Sequence, residues 1–298
     1  MLLQHAELTG LIRVLKYYAY FRYAATSEDI YSAYPYKVSR HHMELILRTA
    51  VAEKRILTRN VAGTSYYTLP PQGIALHEIE RKIKTANEKL SAVNAFLWAA
   101  KYNTVVSLIG LTGSLAMKNA GKNDDVDFFV ISAPNRVWTA RITLLVLAAI
   151  LGLRRTRNDS RPSGKVCLNL FFDGTDLEIP IAKQSLYTAH EIVHMQPQFM
   201  RNQAYKEFLQ ANRWIEQYFP NARTLLDSRQ VQTIQTNDFF FTPVTRAIGD
   251  MLEKLFKLLQ QKIIAKHRTN ELVSNTQMWF YPDDFEKKLR SAGIVAIK

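Results

Sequence analysis

The segment 111–132, LTGSLAMKNAGKNDDVDFFVIS, constrains this chain more than any other. The apolar run TVVSLIGL, residues 104–111, leads into it and reads as a strand. Thr112-Gly113-Ser114 then turns and opens a helix. DVDFFVIS starts by alternating and continues apolar, the pattern of a strand inside a buried sheet. Residues two apart in a strand share a face, so Asp125 and Asp127 project together and Val126 points the other way. Asp124, one residue early, faces away from the pair and supports it from behind. Two carboxylates side by side repel each other unless a cation lies between them, and a divalent ion bound through oxygens removes that penalty. The Gly-Ser turn offers backbone N–H groups and a hydroxyl to an anion such as a triphosphate.

Strand, Gly113-Ser114, short helix, then Asp125-x-Asp127 on the next strand resembles the signature of the DNA polymerase beta-like nucleotidyltransferase superfamily. The resemblance covers about 80 residues. It implies transfer of a nucleoside monophosphate from an NTP to an acceptor hydroxyl, with two Mg²⁺ ions, or Mn²⁺ in their place. It makes Asp125 and Asp127 the metal-binding carboxylates, sets Gly113 and Ser114 on the β- and γ-phosphates, and calls for a third acid on a later strand. The stretch KVCLNLFFDGTDLEIPI reads as a hairpin of strands 166–172 and 177–181 around DGTD. Glu178 is then the best match for the third acid, and Asp176 the second. Under another alignment Asn169 replaces that acid and only two carboxylates remain. Lys118 and Lys122 add charge between the halves of the motif. A following helical segment would close over the nucleotide, with Tyr187, Asn212, Arg213 and Trp214 as candidates for base and phosphate contacts.

The rest of the chain arranges itself around this core. Residues 8–70 read as three helices and a hairpin, with Ser27 and Ser39 as N-caps. This order resembles a winged helix, which implies contact with nucleic acid through Arg40, His41 and His42 on the third helix and Arg59 on the wing. LPPQG at 69–73 marks a boundary. Residues 75–101 form a long helix of mixed charge, a connector with a solvated face. The division is 1–72 winged helix, 73–103 connector, 104–185 mixed-sheet catalytic core and 186–298 helical, an α+β protein overall.

The net charge of +13 and a pI near 9.7 favour anionic partners, here an NTP and a nucleic-acid acceptor such as an RNA 3′ end. A non-catalytic nucleic-acid-binding regulator on a degenerate version of the fold is the alternative. The single cysteine, Cys167, and the lack of a secretory leader pattern point to the cytoplasm. The longest apolar run, residues 142–153, is too short to span a membrane and reads as a buried helix. HEIVH, residues 190–194, matches the His-Glu-x-x-His pattern of zinc hydrolases, with His190 and His194 as ligands, Glu191 as base and Glu216 as a third ligand.

Overall fold

A computed structural model describes residues 4–71, 73–156, 163–234, 243–266, 272–280 and 285–294. The chain begins with α1 (His5–Tyr20), β1 (Ala25–Thr26), α2 (Ser27–Ala33), α3 (Arg40–Ala52) and the hairpin β2 (Leu57–Val61) and β3 (Thr64–Thr68), which with β1 makes a small antiparallel sheet in the order β1-β3-β2. Local chemistry sets the helix starts. Thr26 and Asp29 form a capping box at α2, so the N-cap is Thr26 and not Ser27, while the Ser39 hydroxyl accepts from His42 N–H at the start of α3.

The connector is two helices, α4 (Leu76–Ala92) and α5 (Asn94–Ala100), broken at Val93. Then come β4 (Val106–Leu111), α6 (Gly113–Ala116), β5 (Val126–Ser132), α7 (Val137–Ile150), β6 (Val166–Phe172), α8 (Leu186–His194), β7 (Gln196–Arg201), α9 (Ala204–Ala211), α10 (Ile215–Tyr218), α11 (Ala222–Ser228) and β8 (Thr233–Ile234). The chain closes with α12 (Pro243–Ala265), β9 (Leu272–Val273), β10 (Gln277–Trp279) and α13 (Phe285–Ser291). Seven strands form one mixed sheet in the order β8-β7-β4-β5-β6-β10-β9, with β5–β6 and β7–β8 parallel. No helix among the described residues is long and apolar enough to cross a membrane.

Two sequence expectations fail here for physical reasons. Residues 186–298 are not a helical unit, because β7, β8, β9 and β10 complete the central sheet. The strand β7 carries Pro197, which argues against a central strand; it is tolerated because Pro197 lies opposite Gly110 at a register shift, where no ladder N–H is required. The expected strand at 177–181 does not form. Its place beside β6 is taken by β10, with Gln277 paired to Phe172 and Trp279 to Leu170. The Asp173 carboxylate ends β6 by accepting from the backbone N–H groups of Asn135, Arg136 and Thr175.

Alternate residues of each strand feed two cores. One face, with Ile109, Phe128, Val130 and Phe171, packs against α5, α7 and the end of α12. The other, with Leu108, Phe129, Ile131 and Phe172, packs against α8 to α11 and runs without interruption into the α1–α3 core. The N-terminal elements are therefore not a separate bead: Tyr17 stacks on His190 at 3.5 Å, and Lys37 and Val38 bond to Pro220 and Asn221. The apolar run 142–153 supplies most of α7, but only one of its faces is covered; Val146 and Ile150 are exposed.

Candidate functional site

The site is built where β5 leaves the loop after α6. Lys89 of α4, itself buried, fixes that loop by donating to the carbonyls of Lys122 and Asp124 and to the Ser163 hydroxyl. Asp124 closes it from inside by accepting from Gly121 N–H at 2.9 Å and from the Ser114 hydroxyl at 2.6 Å. Asp125 and Asp127 then point together, as strand geometry requires. Their oxygens and the Cys167 sulfur lie within 4.8 Å of one another, the one cluster of its kind among the described residues. Cys167 comes from the strand alongside, since β6 pairs Cys167 with Asp127.

Gly113 is dictated by this arrangement. Its φ is +65°, and a Cβ there would stand 2.8 Å from Asp127 Oδ2, so a side chain is excluded both by backbone conformation and by the carboxylate. Asn169 is the extra residue of a bulge in β6 opposite the Phe128–Phe129 step, and its amide donates to Asp127 Oδ1. Arg155 pairs with Asp125 and reaches the Cys167 sulfur. Burial, then the Asp125 charge, raise the Asp127 carboxyl to about 7 despite the Asn169 bond and the Arg155 charge. Burial likewise pushes the Cys167 thiol far up, and its S–H donates to Asn169, so it is a neutral neighbour of the pair and not a thiolate ligand.

The third carboxylate that reaches this site comes from a helix. Glu191 of α8 is half-buried beside Asp127 and is raised to about 7, chiefly by burial and then by the Asp127 charge, against bonds from Gly113 N–H and the Tyr187 side chain. The HEIVH match had marked Glu191, but as the base of a zinc site. Its histidines also border the cleft, but their rings are taken up by the N-terminal helices. His190 is buried between Tyr17 and Phe219, and His194 meets the Tyr18 hydroxyl at 2.9 Å and Asp29 at 3.7 Å. Burial lowers both imidazoles, which favours neutral rings packed against the N-terminal helices.

Other expected site residues lie elsewhere. Glu178 is exposed away from the cleft, and what holds it is its carbonyl, which accepts from Gln277. Asp176 accepts from the Thr276 hydroxyl. Asn212 is fully buried and bonds Ile179 N–H and the Leu177 and Phe208 carbonyls, a structural clamp that also holds the Trp214 indole. Arg213 is exposed and faces Glu216, which forms no metal-ligand cluster with His190 and His194 among the described residues. Lys118 and Lys122 are exposed and do not line the cleft. Gly113 and Ser114 do line it, but their donors are engaged by Glu191 and Asp124, and α6 has only four residues, too short for a useful dipole. On α3, Arg40 is held by Glu28 and stacks over Tyr31, and His42 bonds Glu7 at 2.7 Å, so of that group only His41 extends freely to solvent; Arg59 is exposed on the hairpin.

The carboxylates open into a cleft of about 1170 Å³ whose walls bring in cations the sequence reading had not assigned. Arg22, Arg81 and Lys82 come from the end of α1 and from α4; Arg141, Arg154 and Arg155 come from α7 and the segment after it. Glu78 partners Arg22 and Lys82, and Asp125 partners Arg155. Arg81, Arg141 and Arg154 have no acidic partner among the described residues. Arg141 is the most buried of these. It donates to Gln260 and lies over the Phe280 ring, and burial first, then Arg154, lower it to about 10, still charged at neutral pH. The chemistry of the donors suits one hard divalent cation on Asp125 and Asp127 and a polyanion along the arginines.

No protein-family model matches this chain, and no curated protein and no solved structure is significantly similar to it.

Proposed function

We propose that this chain is a nucleotidyltransferase that binds an NTP with a divalent cation, Mg²⁺ or Mn²⁺, in the cleft and passes the nucleoside monophosphate to an acceptor hydroxyl. One observation carries the reading: two adjacent carboxylates, whose repulsion Arg155 offsets only in part, face a cleft lined by six cationic side chains. A protein keeps such a pair where a cation relieves it. The bound ion supplies charge neutralisation for the phosphates and orients them. Asp125 and Asp127 hold it, Arg155 is released from Asp125 toward phosphate oxygens, and Arg81, Arg141 and Arg154 take the remaining charge by bidentate hydrogen bonds. The residues fit one ion better than two, because Glu178 is remote, Glu191 lies outside the cluster formed by Asp125, Asp127 and Cys167, and Asn169 stands beside Asp127 on β6.

Asn169 also favours a second reading. A site with an amide at that position could bind a metal–nucleotide complex without turnover, as a regulator. We further read the order α1-β1-α2-α3-β2-β3 as a winged helix that packs on the core, with Arg40 and His42 serving the module's own ion pairs. The test is equilibrium dialysis of labelled ATP with and without Mg²⁺, followed by analysis of label transfer. Magnesium-dependent binding lost in Asp125→Ala and Asp127→Ala supports the site, and pyrophosphate release decides between enzyme and regulator. ATP binding unchanged by both substitutions refutes both readings.

A further inference from the structure

A second cavity, of about 700 Å³, lies on the other side of Glu191 from the metal pair. Its volume is that of a small-molecule pocket. Phe129, Leu170, Phe208 and Trp279 line it, and the three aromatic residues belong to the sheet-face core, so it is apolar at its base. Its mouth is polar. Lys183 lies 6.0 Å from the Trp279 ring, and Arg290 reaches Glu286 at 3.4 Å.

The cavity and the cleft share a wall made of Thr112, Tyr187, Glu191 and Phe285. Each of these is tied to the site or to its neighbour. Thr112 N–H donates to the Asp127 carbonyl at 3.0 Å, immediately before Gly113. The Tyr187 and Phe285 rings stack at 5.0 Å and 18°, forming an aromatic partition. Glu191 is the only carboxylate among the described residues that lines both spaces. A group reaching over this wall from the cavity arrives beside Asp127.

We propose, building on the nucleotidyl-transfer reading, that this cavity is the acceptor pocket and that the acceptor is a small hydroxylated molecule with an aromatic or otherwise apolar body. Its ring system rests on Trp279 and Phe129, and its hydroxyl crosses the Thr112–Glu191 wall. In the step, the acceptor oxygen forms a bond to the α-phosphorus of the NTP, the bond from that phosphorus to pyrophosphate breaks, and the hydroxyl proton passes to Glu191. A polynucleotide end suits this cavity poorly. Backbone recognition needs a run of cations tracking phosphates, and here the floor is apolar and the cations Lys183, Lys287 and Arg290 stand only at the mouth, Arg290 facing Glu286.

Two substitutions fill the cavity from different sides. Ala182→Trp acts at an exposed position on the mouth, where folding is undisturbed, and Leu170→Phe acts at the floor. The full-length protein is titrated with 8-anilinonaphthalene-1-sulfonate, an anionic aromatic probe, and separately with Mg²⁺-ATP. It is then incubated with ATP labelled at the α-phosphate and either a low-molecular-mass cell filtrate or total RNA. The expected result is label in the filtrate arm, lost at least tenfold in both variants together with probe affinity, while Mg²⁺-ATP affinity stays within twofold. Label confined to RNA, label in neither arm with ATP binding intact, or probe binding and product unchanged in both variants overturns the acceptor assignment alone. Absence of magnesium-dependent ATP binding in the unsubstituted protein overturns the nucleotidyl-transfer reading and the acceptor role with it.

Discussion

Replacing Asp127 by asparagine separates a residue kept for its charge from one kept for its packing. The amide has the shape of the carboxylate and retains an oxygen to accept from Asn169. What it removes is a half-buried negative charge beside Asp125. In the metal-free protein that charge is unfavourable: the folded carboxyl titrates near 7, against about 3.9 for an unfolded aspartate. A raised folded value means that the folded state holds its proton more tightly. The stability Asp127 contributes is therefore complete below about pH 4 and is lost as pH rises through about 7. At about 1.4 kcal/mol per unit the full difference is on the order of 4 kcal/mol, and relaxation around Arg155 reduces it to roughly half. In EDTA at pH 8, Asp127→Asn should therefore be more stable than the unsubstituted chain by about 2 kcal/mol, roughly 4 °C in melting temperature for a protein of this size. At pH 4 the difference should vanish. Added Mg²⁺ should raise the melting temperature of the unsubstituted protein at pH 8 and leave the variant unmoved. Differential scanning fluorimetry across pH 4–8, with EDTA or with Mg²⁺, measures all three. An asparagine variant less stable than the parent at pH 8 in EDTA would refute the account of the pair as a strained, cation-seeking site.

Gly113→Ala should cost on the order of 1–2 kcal/mol from its positive φ alone, and displacement of Asp127 should weaken Mg²⁺ binding at least tenfold by isothermal titration. Arg81→Ala and Arg154→Ala should each raise KM for the nucleotide several-fold while leaving the melting temperature within about 1 °C, since neither has an acidic partner among the described residues to leave unpaired. His190→Ala should destabilise by about 2–4 kcal/mol through loss of ring packing, and elemental analysis of the parent protein should find no stoichiometric zinc. Removal of residues 1–72 should yield an unfolded or aggregating product by circular dichroism, because α1 and α2 close the same core as the sheet.

What was legible in the sequence followed how far apart in the chain the causes lie. Strand, Gly113-Ser114 turn, short helix and Asp125-x-Asp127 strand stand together within one stretch, and each is imposed by local periodicity and sterics, so the structure repeats them closely. Lys89, Arg22 and Arg81 reach the same site from another part of the chain, where the only local signal is a charged helix or a turn; nothing in such a segment tells a solvated cation from one that a fold will carry to a cleft. The strand β7 was hidden by Pro197, whose missing N–H is harmless only because Gly110 opposite lies at a bulge, a fact of pairing and not of sequence.

The HEIVH helix shows how little a short motif says about what its residues meet in the fold. A spacing of four puts His190 and His194 on one helical face, and this much the pattern guarantees. It does not say what that face meets. Here it meets Tyr17 and Tyr18 of α1, so the histidines fasten the N-terminal module to the core, while Glu191 between them reaches Gly113 and Asp127. One helix therefore links the docking of the N-terminal elements to the position of a carboxylate at the site.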